Sequence, residues 1–229
     1  MKRKKFLKSG ALSLGAIVAL PTAIFSCSNE DENNLDSANC EVSPSETLGP
    51  FPIQSPAQLA QANIIGNRTG IPLLINLIIN DQSNNCNPVE GVLVDIWHCD
   101  REGNYSQYGG NQLQSTDYRS QNFLRGRQTT DSNGHVSFIS IFPGWYPGRA
   151  PHVHVEVLSE TGISLLVTQI AFPVSDYTTI YQTAGYNGPP DRSNAQDGIF
   201  SDSLDHNMAD SLTGNTTDGY TLLKTISIQ

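Results

Sequence analysis

The chain has 229 residues, 13 Lys+Arg against 22 Asp+Glu for a net charge of −9, and 38% apolar residues. That apolar content excludes wholesale disorder, and a charged fraction of 15% with no basic stripe beyond the N-terminus excludes a nucleic-acid partner held through its phosphates. One globular domain with appendages is expected, without a fixed-period repeat.

The N-terminus sets itself apart. Lys2, Arg3, Lys4, Lys5 and Lys8 precede an uncharged, mostly apolar stretch over residues 9–26. Such a pattern reads as a signal peptide over residues 1–26, and Gly10, Gly15, Pro21 and the short length argue against a spanning helix. Ile24-Phe25-Ser26-Cys27 resembles the lipobox of bacterial lipoproteins, with Phe25 departing from the usual pattern, and Ser28-Asn29-Glu30-Asp31-Glu32 resembles an acidic surface-sorting tract. The resemblance implies an exported lipoprotein of a Gram-negative bacterium, periplasmic or on the outer membrane or cell surface. A lipid on Cys27 would then be its membrane attachment. Arg3-Lys4-Lys5 is also similar to a twin-arginine export motif with Lys for the second Arg, so both export routes stay open. Residues 27–45 are polar, acidic and aperiodic, as a flexible tether would be.

From residue 46 to 229 the signals are mainly those of strands. Short runs rich in Val, Ile, Leu, Thr and aromatics occur at 73–80, 91–99, 135–141, 152–158, 163–172 and 220–228, separated by turns such as Asp131-Ser132-Asn133-Gly134 and Pro143-Gly144. Helix is expected only at 56–63 and 175–183. Residues 181–219 have little pattern and read as a long loop over a sheet edge or a partner surface. The fold class is therefore all-β, a β-sandwich of immunoglobulin or transthyretin-like type with long loops. Cys40 and Cys86 lie in turn-like surroundings and are the candidate disulfide, leaving Cys99 as a buried thiol.

His152-Val153-His154 falls on an expected strand, where residues i and i+2 share a face, so both imidazoles project together. Glu156 continues that face. A His/His/Glu zinc site, with a third His from His98, His135 or His206, is one reading of the pair. Upstream, Pro143-Gly144-Trp145-Tyr146-Pro147-Gly148-Arg149-Ala150-Pro151 fixes a loop that brings Tyr146 and Arg149 beside the imidazoles. Trp97 reads as core, and His98 as structural or solvent-facing.

This loop and strand look like the metal-binding segment of the intradiol ring-cleavage dioxygenases. Three further segments extend the resemblance over about residues 43–175: Val94-Asp95-Ile96-Trp97-His98-Cys99-Asp100 leading to Gly103-Asn104-Tyr105, then Asn122-Phe123-Leu124-Arg125-Gly126-Arg127-Gln128-Thr129-Thr130-Asp131 with Gly134, and Thr47-Leu48-Gly49-Pro50-Phe51. Each motif is weak alone; their conjunction in order is specific.

The resemblance implies four metal ligands, Tyr105, Tyr146, His152 and His154, with Arg149 and Gln169 beside them. Tyr108 is the first substitute ligand if the spacing inference slips. Two phenolates are hard anionic donors that suit a trivalent ion, here Fe(III). The implied chemistry is attack of O2 on a chelated catechol-type aromatic to give a cis,cis-muconate. Tyr146 is displaced to accept a substrate proton, and Arg149 stabilises charge on the ring. Arg125 and Arg127 either serve a carboxylated substrate or fix loops. A homo-oligomer is compatible with the sequence, although the long helical dimerisation region of the catechol-specific branch is not apparent. A zinc hydrolase and a non-catalytic binding module on the same sandwich are the competing readings.

Overall fold

The computed structural model describes residues 40–229. The signal segment, Cys27, the acidic tract and the twin-arginine-like motif lie outside the described residues. Among the described residues no helix is long and apolar enough to cross a membrane.

Among the described residues nine strands form two sheets. In the first, β1 (Pro72–Asp81) pairs with β9 (Gly219–Ile228) in parallel along one edge, and with β5 (His135–Ile141) and β2 (Asn87–Pro88) antiparallel on the other. β8 (Ser211–Asn215) closes the far side by pairing with β9. The second sheet runs β4-β3-β6-β7, all antiparallel: β4 (Arg125–Thr129), β3 (Leu93–Trp97), β6 (His152–Leu158) and β7 (Ser164–Ala171).

The period-2 alternation of strands explains how the sheets face each other. Leu73, Ile75, Leu77 and Ile79 of β1 are buried while Pro72 and Leu74 are exposed, and they meet Val94, Ile96, Val153, Val155, Val157 and Ile170 of the second sheet in one core. Burying such aliphatic side chains contributes on the order of 1.5–3 kcal/mol each. The opposite face of the second sheet is covered too, by loops and by a smaller cluster of Phe51, Trp97, Cys99 and Tyr105. That is why β3 and β6 are buried on both faces.

Six of the nine strands coincide with the runs expected from sequence; β2, β4 and β8 do not. The helix expected at 56–63 is a single 3-10 turn, Pro56–Leu59, after which the chain extends and bridges to Arg127 and Ile139 on the edges of β4 and β5. The helix expected at 175–183 is α1 (Val174–Ile180). Residues 181–219 do run over a sheet edge, since Ala209 N–H donates to Ala171 O on β7, and they contain the short helix α2 (Leu204–Asn207) and β8.

The Cys40–Cys86 disulfide is formed and Cys99 is buried and free. Past the bridge the chain is already attached: Ser43 N–H donates to Ser227 O, and Glu46 N–H to Val167 O. The sandwich thus holds the last residues of the segment read as tether.

Candidate metal centre

The centre sits on the loop-covered face of the second sheet, at the Trp97 end of β3. Register places Trp97 opposite His154, and His154 opposite Gln169, so one row across β3, β6 and β7 carries all three side chains. His152 lies one step along the same face. The two imidazole Nε2 atoms are 3.1 Å apart, and Tyr105 Oη is 3.3 Å from His152 Nε2. The Tyr146 ring lies 5.6 Å from both the Tyr105 ring and the His152 ring. Four donors read from sequence, Tyr105, Tyr146, His152 and His154, are therefore brought together.

Each is positioned by a local device. His152 Nδ1 is 2.7 Å from Ala150 O; a carbonyl only accepts, so Nδ1 carries the proton and Nε2 presents its lone pair to the centre. The His154 ring lies flat against Trp97 at 4.8 Å, with 2° between the planes. On the same ring Gly49, at φ +67, approaches so closely that a Cβ there would stand 2.9 Å from Cε1. Tyr105 sits on a loop braced by Gln114, whose Oε1 accepts from Tyr105 N–H at 2.6 Å and whose Nε2 donates to Tyr105 O at 2.8 Å. Phe51 stacks on the Tyr105 ring at 4.6 Å.

Burial drives both imidazoles well below the ordinary histidine pKa, with the Arg149 cation adding to the effect, so both stay neutral at physiological pH. The same burial raises the Tyr105 phenol well above its ordinary value and raises that of Tyr146. Neutral imidazoles are metal ligands as they stand; the phenols ionise here only if a cation sits beside them.

Comparisons with known proteins agree with this geometry. A family model described as Dioxygenase matches residues 51–184, more than half of the chain. The structure of an intradiol ring-cleavage dioxygenase from Tetranychus urticae superposes with a TM-score of 0.74 and 30% identity, covering 83% of this chain and 95% of that one. The chain belongs to the intradiol ring-cleavage dioxygenase family. Among curated relatives, chlorocatechol 1,2-dioxygenase of Rhodococcus opacus is 28% identical over 39% of this chain, and the protocatechuate 3,4-dioxygenase beta chain of Burkholderia cepacia is 35% identical over 38%. The matches span only 40% and 39% of those relatives' own lengths.

In this intradiol family member the remaining expected residues also lie at the centre. Arg149 Nη1 is 3.5 Å from Tyr146 Oη and 3.5 Å from His152 Nε2, and its Nη2 donates to Gln169 Oε1 at 2.6 Å. Burial is the largest influence on the Arg149 cation and works against it, but Asp197 and Tyr146 together outweigh it and the pKa is raised. Arg125 and Arg127 fix structure. Fully buried Arg125 donates to Phe51 O and to Ser106, and burial alone pushes its pKa down to about 10; Arg127 pairs with Asp95 at 2.6 Å. Tyr108 is tied to Pro52 O, away from the ligand set.

The His/His/Glu arrangement does not form. Among the described residues no group of three or more His, Cys, Asp or Glu gathers as metal ligands. Glu156 is in register with Asp95, within electrostatic reach of Arg127. His98 is bonded to Ser140 and Cys99 O, His135 to Ser137, and His206 faces Glu41. His98 is fully buried rather than solvent-facing, and Trp97 is part of the site as well as of a core. Sequence reasoning missed Gln114, the Phe51 and Trp97 stacks, and Asp197. Asp197 had one available signal: a buried arginine at position 149 requires a counter-charge.

Proposed function

We propose that the protein is a non-haem Fe(III) dioxygenase that cleaves a catechol-type aromatic between its two hydroxylated carbons, yielding a cis,cis-muconate. The carrying observation is the convergence of two neutral imidazoles and two phenols on one point, with Nε2 to Nε2 at 3.1 Å and Tyr105 Oη to His152 Nε2 at 3.3 Å. Two hard anionic oxygens and two imidazoles fit a trivalent iron, while zinc or copper gains little from a second phenolate. Ferric iron, when bound, supplies a Lewis acid that ionises the phenols and accepts electron density from a chelated catechol, opening the ring to O2.

The rest follows from the protein's own groups. Tyr105 is fully buried and held on both sides of its backbone, so it serves as a fixed ligand; the Tyr146 side chain is only half-buried, so it has room to swing while its loop backbone stays in place. Tyr146 is thus the ligand free to move aside and take a catechol hydroxyl proton on its Oη. Arg149 Nη1 faces the space between Tyr146 and His152 and stabilises negative charge on the bound ring. Phe51, Trp97 and Phe200 are buried rings packed against Tyr105, His154 and His152, so they keep water from that side of the centre.

Anaerobic visible spectroscopy of the iron-loaded protein tests this reading. A red-brown phenolate-to-iron band that moves to longer wavelength on adding catechol is expected; an iron-loaded but colourless protein rules it out. Export with a lipid on Cys27 belongs to the same proposal. It is supported by the N-terminal pattern and by the Cys40–Cys86 bridge, a linkage favoured in oxidising compartments.

A further inference from the structure

Residues 181–210 do more than cover a sheet edge. Three contacts stitch them to the loop that carries Tyr146 and Arg149: Trp145 Nε1 donates to Gly188 O at 2.9 Å, Gly148 N–H donates to both Asp191 carboxylate oxygens at 3.1 Å, and Ala150 N–H donates to Asp197 Oδ2 at 2.7 Å. The third contact reaches the centre. Asp197 is fully buried, and its two oxygens lie 3.0 and 2.8 Å from Arg149 Nε. With Nε held by Asp197 and Nη2 by Gln169, the guanidinium plane is fixed. Nη1 is left as the arm without a short partner, directed at Tyr146 Oη and His152 Nε2.

We propose that Asp197 is the positioning residue of Arg149: it sets the guanidinium so that Nη1 meets the substrate, and it balances the cation so that a second positive charge can be held next to it. The proposal rests on the ring-cleavage reading above. The chemistry requires a carboxylate at this position. Oδ2 accepts from Arg149 Nε and Ala150 N, while Oδ1 accepts from Arg149 Nε and Ile199 N. Every neighbour is a donor. An amide at 197, whichever way it is turned, points its NH2 at one of these donors and leaves Arg149 without its counter-charge.

A double-mutant cycle on the full-length iron-loaded protein tests the role, with kcat, KM, iron content and the anaerobic catechol dissociation constant from the visible band as readouts. Asp197→Asn is expected to lower kcat by about 10- to 100-fold and to change iron content by less than about 20%. In an Arg149→Gln background the same substitution is expected to change kcat and the catechol dissociation constant by less than about twofold. If Asp197→Asn alone does not fold, Asp197→Glu, which keeps the counter-charge but displaces it, is measured instead: a lowered kcat with unchanged iron content is expected, and a wild-type kcat overturns the positioning role. Losses that multiply, or loss of iron in step with activity, overturn the positioning role while leaving the ring-cleavage reading intact. A wild-type protein that loads iron but shows no catechol-dependent band shift overturns both.

Discussion

Tyr105 and Tyr146 carry the same phenol with different freedom, and their variants should differ accordingly. Tyr105→Phe removes the proposed ligand that is fixed on both sides, so iron content is expected to fall to below about a tenth; Tyr146→Phe should retain most of its iron while kcat drops by about 10²-fold or more, as loss of a general base does. Metal analysis beside steady-state assays separates the two. His98 supplies a pH dependence. Burial lowers its pKa from 6.5 to about 4 while the unfolded chain titrates normally, so between these values the unfolded state binds more protons. Its stabilisation is therefore present above about pH 6.5 and is lost as pH falls toward 4, by roughly 3 kcal/mol in all. Urea unfolding from pH 7 to 4 should show this slope added to that of buried His152 and His154, and His98→Gln should remove its share alone. The four candidate donors could be picked out in the sequence because they occupy short motifs at fixed places on a strand and two turns. Asp197 was not, since nothing near it in the chain says that it will face Arg149; only tertiary packing of the long segment does so.

At the level of elements, residues 43–51 behave as a strap. They start against Ser227 on β9, cross to β7 where Thr47 O accepts from Gln169 Nε2 at 2.9 Å, press Gly49 on His154, and end with Phe51 between Tyr105 and buried Arg125. Gly49→Ala meets two penalties, a positive φ and an imidazole at 2.9 Å. The variant is expected to weaken anaerobic catechol binding by more than about tenfold while losing only about 1–2 kcal/mol of stability, read by band titration and urea denaturation. β4 and β8 escaped sequence reading for opposite reasons. In β4, Arg125 and Arg127 are polar residues turned toward the site face, and Gly126 takes the core side because Ile64 leaves no room for more. The strand therefore shows no aliphatic alternation. β8 is an edge strand whose residues are exposed apart from half-buried Leu212, so no buried face marks it.

For the whole molecule, charge is the leading property. Residues 1–26 hold five of the basic side chains and no acidic one, so the chain without them carries 8 basic against 22 acidic groups, a net of −14. Arg149, the cation at the centre, is already matched by Asp197. A carboxylated catechol should accordingly show a lower kcat/KM than its neutral parent at low ionic strength, with the gap narrowing as salt rises. Steady-state assays from about 10 to 300 mM salt check this, and a carboxylate preference that salt abolishes would contradict it. The Cys40–Cys86 bridge spans 46 residues, and Cys40→Ser/Cys86→Ser is expected to cost about 2–4 kcal/mol in chemical denaturation.

That bridge has a mechanical meaning as well. Cys86 follows the Asp81 end of β1, and residues 89–92 lead from there straight into the Leu93 end of β3, whereas the candidate metal centre lies at its Trp97 end. Were the chain anchored through Cys27 as proposed, tension would load a covalent knot at the far end of the sandwich before it could reach Ser43. The strap that holds His154 and Tyr105 in place is not the part of the protein that bears the pull, just as a clamped cable keeps its strain away from the terminal it feeds.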